Sequence, residues 1–325
     1  VVQNQMQTLI ESDWEKGAEF RHFMELLPQD HILHELYAEF LSSDPHQKIS
    51  LRKKIRSYLT PGSIDVNIMT KVDKLNQGPD GKDLPREYSD ALSALRGFAK
   101  SKLDAAVVFS AGLNPALYSY AEQFPGFFPN EKGHIQKRII LKVSDYRSAL
   151  IQGKFLAKKG LWVSEFRIES GLNCGGHAFA TDGYLIGPIL EEFKANRNQL
   201  IDTLKTAVNQ ALTEKNLLLL PETESIKITY QGGIGNAQED DFLRRHYQLD
   251  GTGWGSPFLL VPEATSVDED TLQRILKAKK SDFYLSHASP LGVPFNNLRN
   301  SSGEEQRKSR IEKGRPGSPC YKKFL

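Results

Sequence analysis

Trp162-Val-Ser-Glu-Phe-Arg-Ile-Glu-Ser-Gly-Leu-Asn-Cys-Gly-Gly-His177 is the stretch on which the reading of this chain turns. Its first half alternates and carries β-branched and aromatic residues, which predicts a strand over 162–168. Its second half gives up packing. A strand that runs out into Gly171, Gly175 and Gly176 lets something approach the backbone closely. His177 stands at that exit, and the carboxyl ends of strands are where α/β proteins keep their chemistry.

The same unit repeats on both sides. Upstream, strands are predicted over 63–69, 105–109 and 138–144. A helix over 86–103 has Tyr88, Ala91, Leu92 and Leu95 on one face, and another runs over 146–159. Downstream come a helix around 196–213, a strand over 225–230 and a helix around 237–247. A short strand then lies within 249–258. Strands alternating with crossover helices predict a parallel sheet. No dinucleotide fingerprint follows the first strand. A (β/α)₈ barrel needs eight strands, and an open parallel sheet would expose a long edge. The expected fold is therefore an α/β TIM barrel seen from its third strand to its eighth over 61–300, with the first two strands preceding Val1. Residues 1–60 show helical spacing in Phe20, Phe23, Leu26, Leu27, Ile32, Leu33, Leu36 and Phe40, and read as a helical insertion. Residues 301–325 are polar and read as a mobile or surface extension.

Composition narrows the partners. With 325 residues, 39% hydrophobic and 25% charged, the chain is that of a soluble globular protein. A net charge of +2 is too small to make nucleic acid or an anionic membrane the main partner. No apolar run approaches the roughly 20 residues of a membrane span. The cluster Arg52-Lys-Lys-Ile-Arg56 reads as a solvated helix face. Two cysteines, Cys174 and Cys320, without metal-type spacing fit a reducing cytosol and no metal site. The start lacks a signal peptide, so a cytoplasmic location is expected. Cys174 reads as a small packing residue.

Chemistry concentrates at the strand ends. The turn Gly232-Gly-Ile-Gly235 opens a helix, and Gly253-Trp-Gly-Ser-Pro257 follows the last strand. Backbone N–H groups at such turns, with a helix dipole behind them, cradle phosphate, and in barrels that cradle follows the last two strands. His177 would act as a general base or donor, or else make only a structural loop bond. Asn67, Lys71 and Lys142 would face the mouth, where a lysine offsets negative charge on a bound ring or is simply ion-paired. His22, His31, His34, His46, His134 and His246 read as surface residues, and His287 lies on a loop.

In these residues the chain resembles the FMN-dependent nitronate monooxygenase (2-nitropropane dioxygenase) barrels. Val66-Asn67 looks like that family's G-V-N segment, and Ser110-Ala-Gly-Leu113 like its strand-four exit. Gly175-Gly-His177 is similar to its A-G-G-H element, and Gly232-Gly-Ile234 to its G-G-I loop. Gly255-Ser-Pro-Phe258 matches its M-G-T-R-F turn, and Ala288-Ser-Pro-Leu-Gly-Val-Pro294 its late loop. The resemblance implies FMN at the barrel mouth, with Gly232, Gly233, Gly255 and Ser256 at the phosphate. Asn67, Lys142, Gly175 and Gly176 would lie near the ring, and His177 would be the proton-handling residue. It also implies a small carbanion-forming substrate such as an alkyl nitronate, with a homodimer as the assembly to test. Asn173-Cys174 and Pro257 differ from the family pattern, which bears on the substrate. The 138–144 strand is also similar to the enoyl-reductase barrels of polyunsaturated fatty acid synthases. That gives an alternative, an FMN-dependent enoyl-thioester reductase using NAD(P)H. A further alternative is a non-catalytic barrel that binds a phosphate ligand.

Overall fold

The computed structural model describes residues 2–60, 62–63, 65–69, 73–110, 113–169, 186–261, 267–287 and 295–317. Lys71, Cys174, Gly175, Gly176, His177, the 288–294 loop and Cys320 lie outside the described residues. The chain divides into two units, 1–64 and 65–325.

The first unit holds α1 (Val2–Glu11), α2 (Ala18–Glu25), α3 (Ile32–Ser42) and α4 (Pro45–Arg56). Its core is Trp14, Phe20, Met24, Leu33, Leu36, Phe40, Leu51, Ile55 and Leu59. Trp14 stacks on Phe20 with ring centroids 4.5 Å apart. The Tyr37 hydroxyl donates to the Trp14 carbonyl at 2.7 Å and the Trp14 indole N–H to the Leu9 carbonyl at 3.1 Å, so the polar tips of both rings are satisfied. Asp44 caps α4 by accepting from the His46 and Gln47 amides. Two sequence expectations change here. His31 is a helix cap rather than a free surface residue, its ring accepting from the Leu33 amide. Arg52 turns inward from the basic run, lying over the Trp14 ring at 4.7 Å and donating to the Ser12 carbonyl.

The second unit alternates strand and helix. In order it forms β1 (Asp65–Met69), α5 (Asp90–Lys100), β2 (Ala105–Ser110), α6 (Pro115–Ala121), β3 (Lys137–Val143) and α7 (Tyr146–Ala157). These are followed by β4 (Val163–Ile168), α8 (Ile186–Glu214), β5 (Lys227–Gln231), α9 (Ala237–His246) and β6 (Gly251–Gly253). All neighbouring strands are parallel, and the spatial order β1-β2-β3-β4-β5-β6 is the chain order. That singly wound order is the topology of a (β/α)₈ barrel and not of a doubly wound sheet, whose order reverses. Among the described residues β1 and β6 do not pair with each other, so the sheet is a half-barrel. The six expected strands are all present. α8 begins earlier than the periodicity indicates, at Ile186. Tyr88 sits in a 3₁₀ turn before α5, 45% exposed, instead of on the helix's buried face.

Residue parity assigns the two faces of this sheet. Val107, Phe109, Ile139, Leu141, Val143, Phe166, Ile168, Ile228 and Tyr230 join Leu95, Phe98, Leu156, Phe193 and Leu204 of the helices in one core. The alternate positions form the opposite face. Among the described residues Ala106, Val108 and Ile140 cluster as an apolar patch there. Asp65, Asn67, Lys142, Glu165, Arg167 and Gln231 lie on the same face, with Gly251 and Gly253 on β6.

At the foot of β3 the Lys137 side chain is buried, its ammonium donating to the Ser101 carbonyl and hydroxyl at 2.9 Å and to the Leu103 carbonyl. Burial pushes its pKa down. The bonds tie the end of α5 to the strand beneath it. Among the described residues no helix is long and apolar enough to cross a membrane.

Beyond β6 the chain forms α10 (Glu269–Lys277), an antiparallel pair β7 (Phe283–Ser286) and β8 (Phe295–Leu298), and α11 (Ser302–Glu312). Of the two readings of the polar segment after 300, a mobile or a surface extension, Ser302–Glu312 forms a helix, α11: Ser301 caps it, and Glu304 is buried. Arg307 grips the Glu304 carboxylate with two nitrogens at 2.6 and 2.8 Å, and the Tyr284 hydroxyl donates to it at 2.9 Å. The Arg307 bonds, working against desolvation and helped by Tyr284, bring the Glu304 pKa down to about 2. A carboxylate with a depressed folded pKa adds stability that is complete above its unfolded pKa of about 4.3 and fades as pH falls towards the folded one. The stability gap between the native chain and Glu304→Gln should therefore be full at pH 6 and shrink between about pH 4 and pH 2, read by urea unfolding. A gap that stays constant across that window contradicts the assignment.

Candidate functional site

The polar face of the sheet is built by one alternation. β4 reads Val163-Ser-Glu-Phe-Arg-Ile168 and continues into Glu169. Phe166 and Ile168 enter the helix-facing core, so Glu165, Arg167 and Glu169 project to the other side. Arg167 donates from Nε to Glu165 at 2.9 Å and from Nη2 to Asp65 on β1 at 2.9 Å. Thr229 on β5 donates to the same Glu165 oxygen at 2.6 Å. Burial works against the Arg167 charge, but the bonds and charges of Asp65 and Glu165 outweigh it and hold its pKa above the usual arginine value.

The Asp65 contact requires curvature. Register carried across β2 and β3 sets Arg167 level with Met69, four residues along β1 from Asp65. Were the sheet flat, three strand spacings and four residue rises would put the two Cα atoms about 19 Å apart. No arginine–aspartate pair spans that. The sheet curls, and its inner face is concave.

Nearer the carboxyl ends lies a second polar layer. Lys142 pairs with Glu169 at 2.6 Å, with side-chain exposures of 27% and 18%. Gln231, at the end of β5, donates to the other Glu169 oxygen at 3.0 Å. Asn67 accepts from the Ser110 hydroxyl at 2.7 Å, which turns the Nδ2 end of its amide outward as a donor. Gly251 and Gly253 complete this face on β6, so nothing projects from it there. The result is a floor without side chains on β6, bordered on β5 by Thr229 and Gln231, and Gln231 leads through Glu169 to Lys142.

Beyond β5 the backbone takes left-handed values at Gly232 (φ 100) and Gly233 (φ 72), conformations that L side chains resist. The Tyr230 hydroxyl holds the Gly232 carbonyl. Asn236 caps α9 by accepting from the Glu239 amide. Glu239 reaches back, and its carboxylate accepts from the Gly235 amide at 2.7 Å. Gly255 opens the 3₁₀ turn Ser256–Leu260, and a Cβ there would meet open space.

Of the sequence-predicted site residues, the structure gathers Asn67, Lys142, Gly232 and Gly233 on strands of one sheet or the loop after β5, with Gly255 and Ser256 just past β6. Lys142 takes the ion-paired alternative, with Glu169 as its partner. Gly175, Gly176 and His177 fall outside the described residues. His134 is paired rather than free, 2.6 Å from Asp104. Sequence reasoning missed Asp65, Glu165, Arg167, Glu169 and Gln231. Their signal was present: charges at every second position of a strand conflict with the two apolar faces of an ordinary parallel sheet.

No family model and no curated protein matches the chain. Solved structures do. FabK from Thermotoga maritima, as a point mutant, is 14% identical, with a TM-score of 0.37 over 82% of this chain and 66% of that one. Nitroalkane oxidase from Streptomyces ansochromogenes is 14% identical, with a TM-score of 0.40 over 83% and 70%. The enoyl reductase domain of MlnA from Bacillus amyloliquefaciens is 12% identical, with a TM-score of 0.43 over 87% and 62%. The chain thus spans about two thirds of the length of these proteins.

The two glycines of β6 differ in a testable way. A Cβ at Gly253 would sit 2.8 Å from the Gln231 Cβ, whereas one at Gly251 would meet only Thr229 at 3.6 Å. Gly253→Ala should cost about 1–3 kcal/mol and displace Gln231. Gly251→Ala should stay within about 0.5 kcal/mol. Equal costs in chemical denaturation would contradict the described packing.

Proposed function

We infer that this chain is an FMN-dependent oxidoreductase of the nitronate monooxygenase type, acting on a small carbanion-forming substrate. The observation that carries the reading is the bare glycine floor of β6, next to Gln231 and through it to the Glu169–Lys142 pair, with a left-handed glycine loop at the end of the adjoining strand. A flat ring needs such a floor, and a phosphate needs such a loop. The residues fit the group: Asn67, Lys142, Gly251 and Gly253 would flank the ring, and Gly232, Gly233, Gly255 and Ser256 would serve the phosphate. Bound FMN would supply a two-electron acceptor.

The protein's own contribution is positioning and charge. Lys142 would offset negative charge on the ring, and Glu169, fixed by Gln231, holds its ammonium in place. Ser110 sets the Asn67 amide so that its nitrogen donates. His177, by resemblance, would move the substrate proton. NAD(P)H is the electron donor only under the enoyl-thioester reductase alternative.

The test is a visible spectrum of the purified chain with FMN, titrated anaerobically with a nitronate, NADH and NADPH. The nitronate should bleach the flavin, and His177→Ala should slow that step by about 10²–10⁴-fold. Rapid bleaching by NAD(P)H with the nitronate inert selects the enoyl reductase. Absence of any flavin spectrum after FMN addition overturns both, leaving the non-catalytic barrel.

A further inference from the structure

The loop after β5 already holds an anion, and it belongs to the protein. Glu239 Oε2 accepts from the Gly235 amide at 2.7 Å, at the mouth of the turn that would cradle a phosphate. A Cβ on Gly235 would come within 3.2 Å of the same carboxylate oxygen, so the carboxylate fills the space directly over this glycine. It is not alone. Asp240 and Asp241 follow it in the chain; Asp240 accepts from the Thr252 hydroxyl on β6, and Asp241 pairs with Arg245 at 2.7 Å. The opening of α9 is thus acidic.

We propose that Glu239 is a specificity-determining residue of the flavin site, an internal competitor for the phosphate that weakens FMN relative to riboflavin. The proposal rests on the flavin reading above. A carboxylate and a phosphate cannot share the Gly235 amide, because that donor has one hydrogen and both groups are acceptors only. For a phosphate held at Gly232 and Gly233 to draw also on the Gly235 amide, Glu239 must leave it. Glu239 is exposed, so it can swing into solvent at little cost, yet its charge stays beside a group carrying nearly two negative charges. Two such groups about 5 Å apart at a surface disfavour binding by roughly tenfold. The neutral riboflavin tail meets no such opposition. Of the acidic residues at the start of α9, Glu239 is the one whose carboxylate accepts from the Gly235 amide: Asp240 accepts from the Thr252 hydroxyl and Asp241 pairs with Arg245.

The test compares FMN and riboflavin, which differ only in the phosphate, by quenching of flavin fluorescence on titration with the chain. Glu239→Gln removes the charge and keeps an acceptor for the Gly235 amide, so the local cap survives. It should tighten FMN about tenfold and leave riboflavin within twofold. Glu239→Ala should do the same if the glutamine variant fails to fold. Asp241→Asn, whose charge is already met by Arg245, should change neither by more than about twofold. Flavins that bind with an FMN-to-riboflavin ratio unmoved by either Glu239 variant overturn the proposal alone. A chain and variants that bind neither flavin overturn it together with the flavin reading.

Discussion

The bond between Arg167 and Asp65 is the constraint on which the rest of this sheet depends. It joins β4 to β1 across the open side of β2 and β3, between residues 102 positions apart in the chain. Strand pairing alone fixes which strands are neighbours. It does not fix how far the sheet bends, and a twisted open sheet satisfies the same ladder. A guanidinium held between Glu165 and Asp65 selects the bent form, because only there do all three groups meet. Removing a partly buried charge from its partner leaves the other uncompensated, so the flat alternative is penalised as the curled one is stabilised.

Curvature then explains the division of labour between the two faces. The convex face carries aliphatic and aromatic side chains against α5 to α9, and burial there drives folding. A barrel interior filled for stability is dominated by Val, Ile and Leu. This concave face instead carries Asp65, Asn67, Lys142, Glu165, Arg167, Glu169 and Gln231, with glycines on β6. Such a face costs desolvation, which hydrogen bonds only partly offset. The upper layer of Lys142, Glu169 and Gln231 lies at the carboxyl ends of the strands, and the lower layer of Asp65, Glu165 and Arg167 holds the shape beneath it.

Much of the fold was legible in the sequence. Six strands with crossover helices emerge from hydrophobic alternation and period alone, since each strand is long or flanked by clear turn residues. β7 and β8 were not legible. Both are only four residues long; β7 has strand-forming Phe283 and Tyr284, but β8 has Asn296 and Asn297 in its middle and little intrinsic strand character, so it exists through pairing with β7. α11 was hidden for a related reason: its polar composition resembles a tail, and only Ser301 and the buried Glu304 show that it is a docked helix. At the site, glycines and Lys142 stood out because single residue types announce themselves. The charged pairs did not, because a partner 102 residues away leaves no local trace. Glu239 did not stand out in the sequence, because its bond to the Gly235 amide is a local cap that leaves no mark beyond an acidic helix start.

The central claim is that an ion pair closes the curve of the sheet. A double-mutant cycle on Asp65→Asn and Arg167→Met, followed by urea unfolding, measures it most directly. A coupling energy of about 1–3 kcal/mol is expected between two residues that a flat sheet would keep apart. A coupling indistinguishable from zero would mean that the two side chains do not meet, and the concave site would lose its foundation.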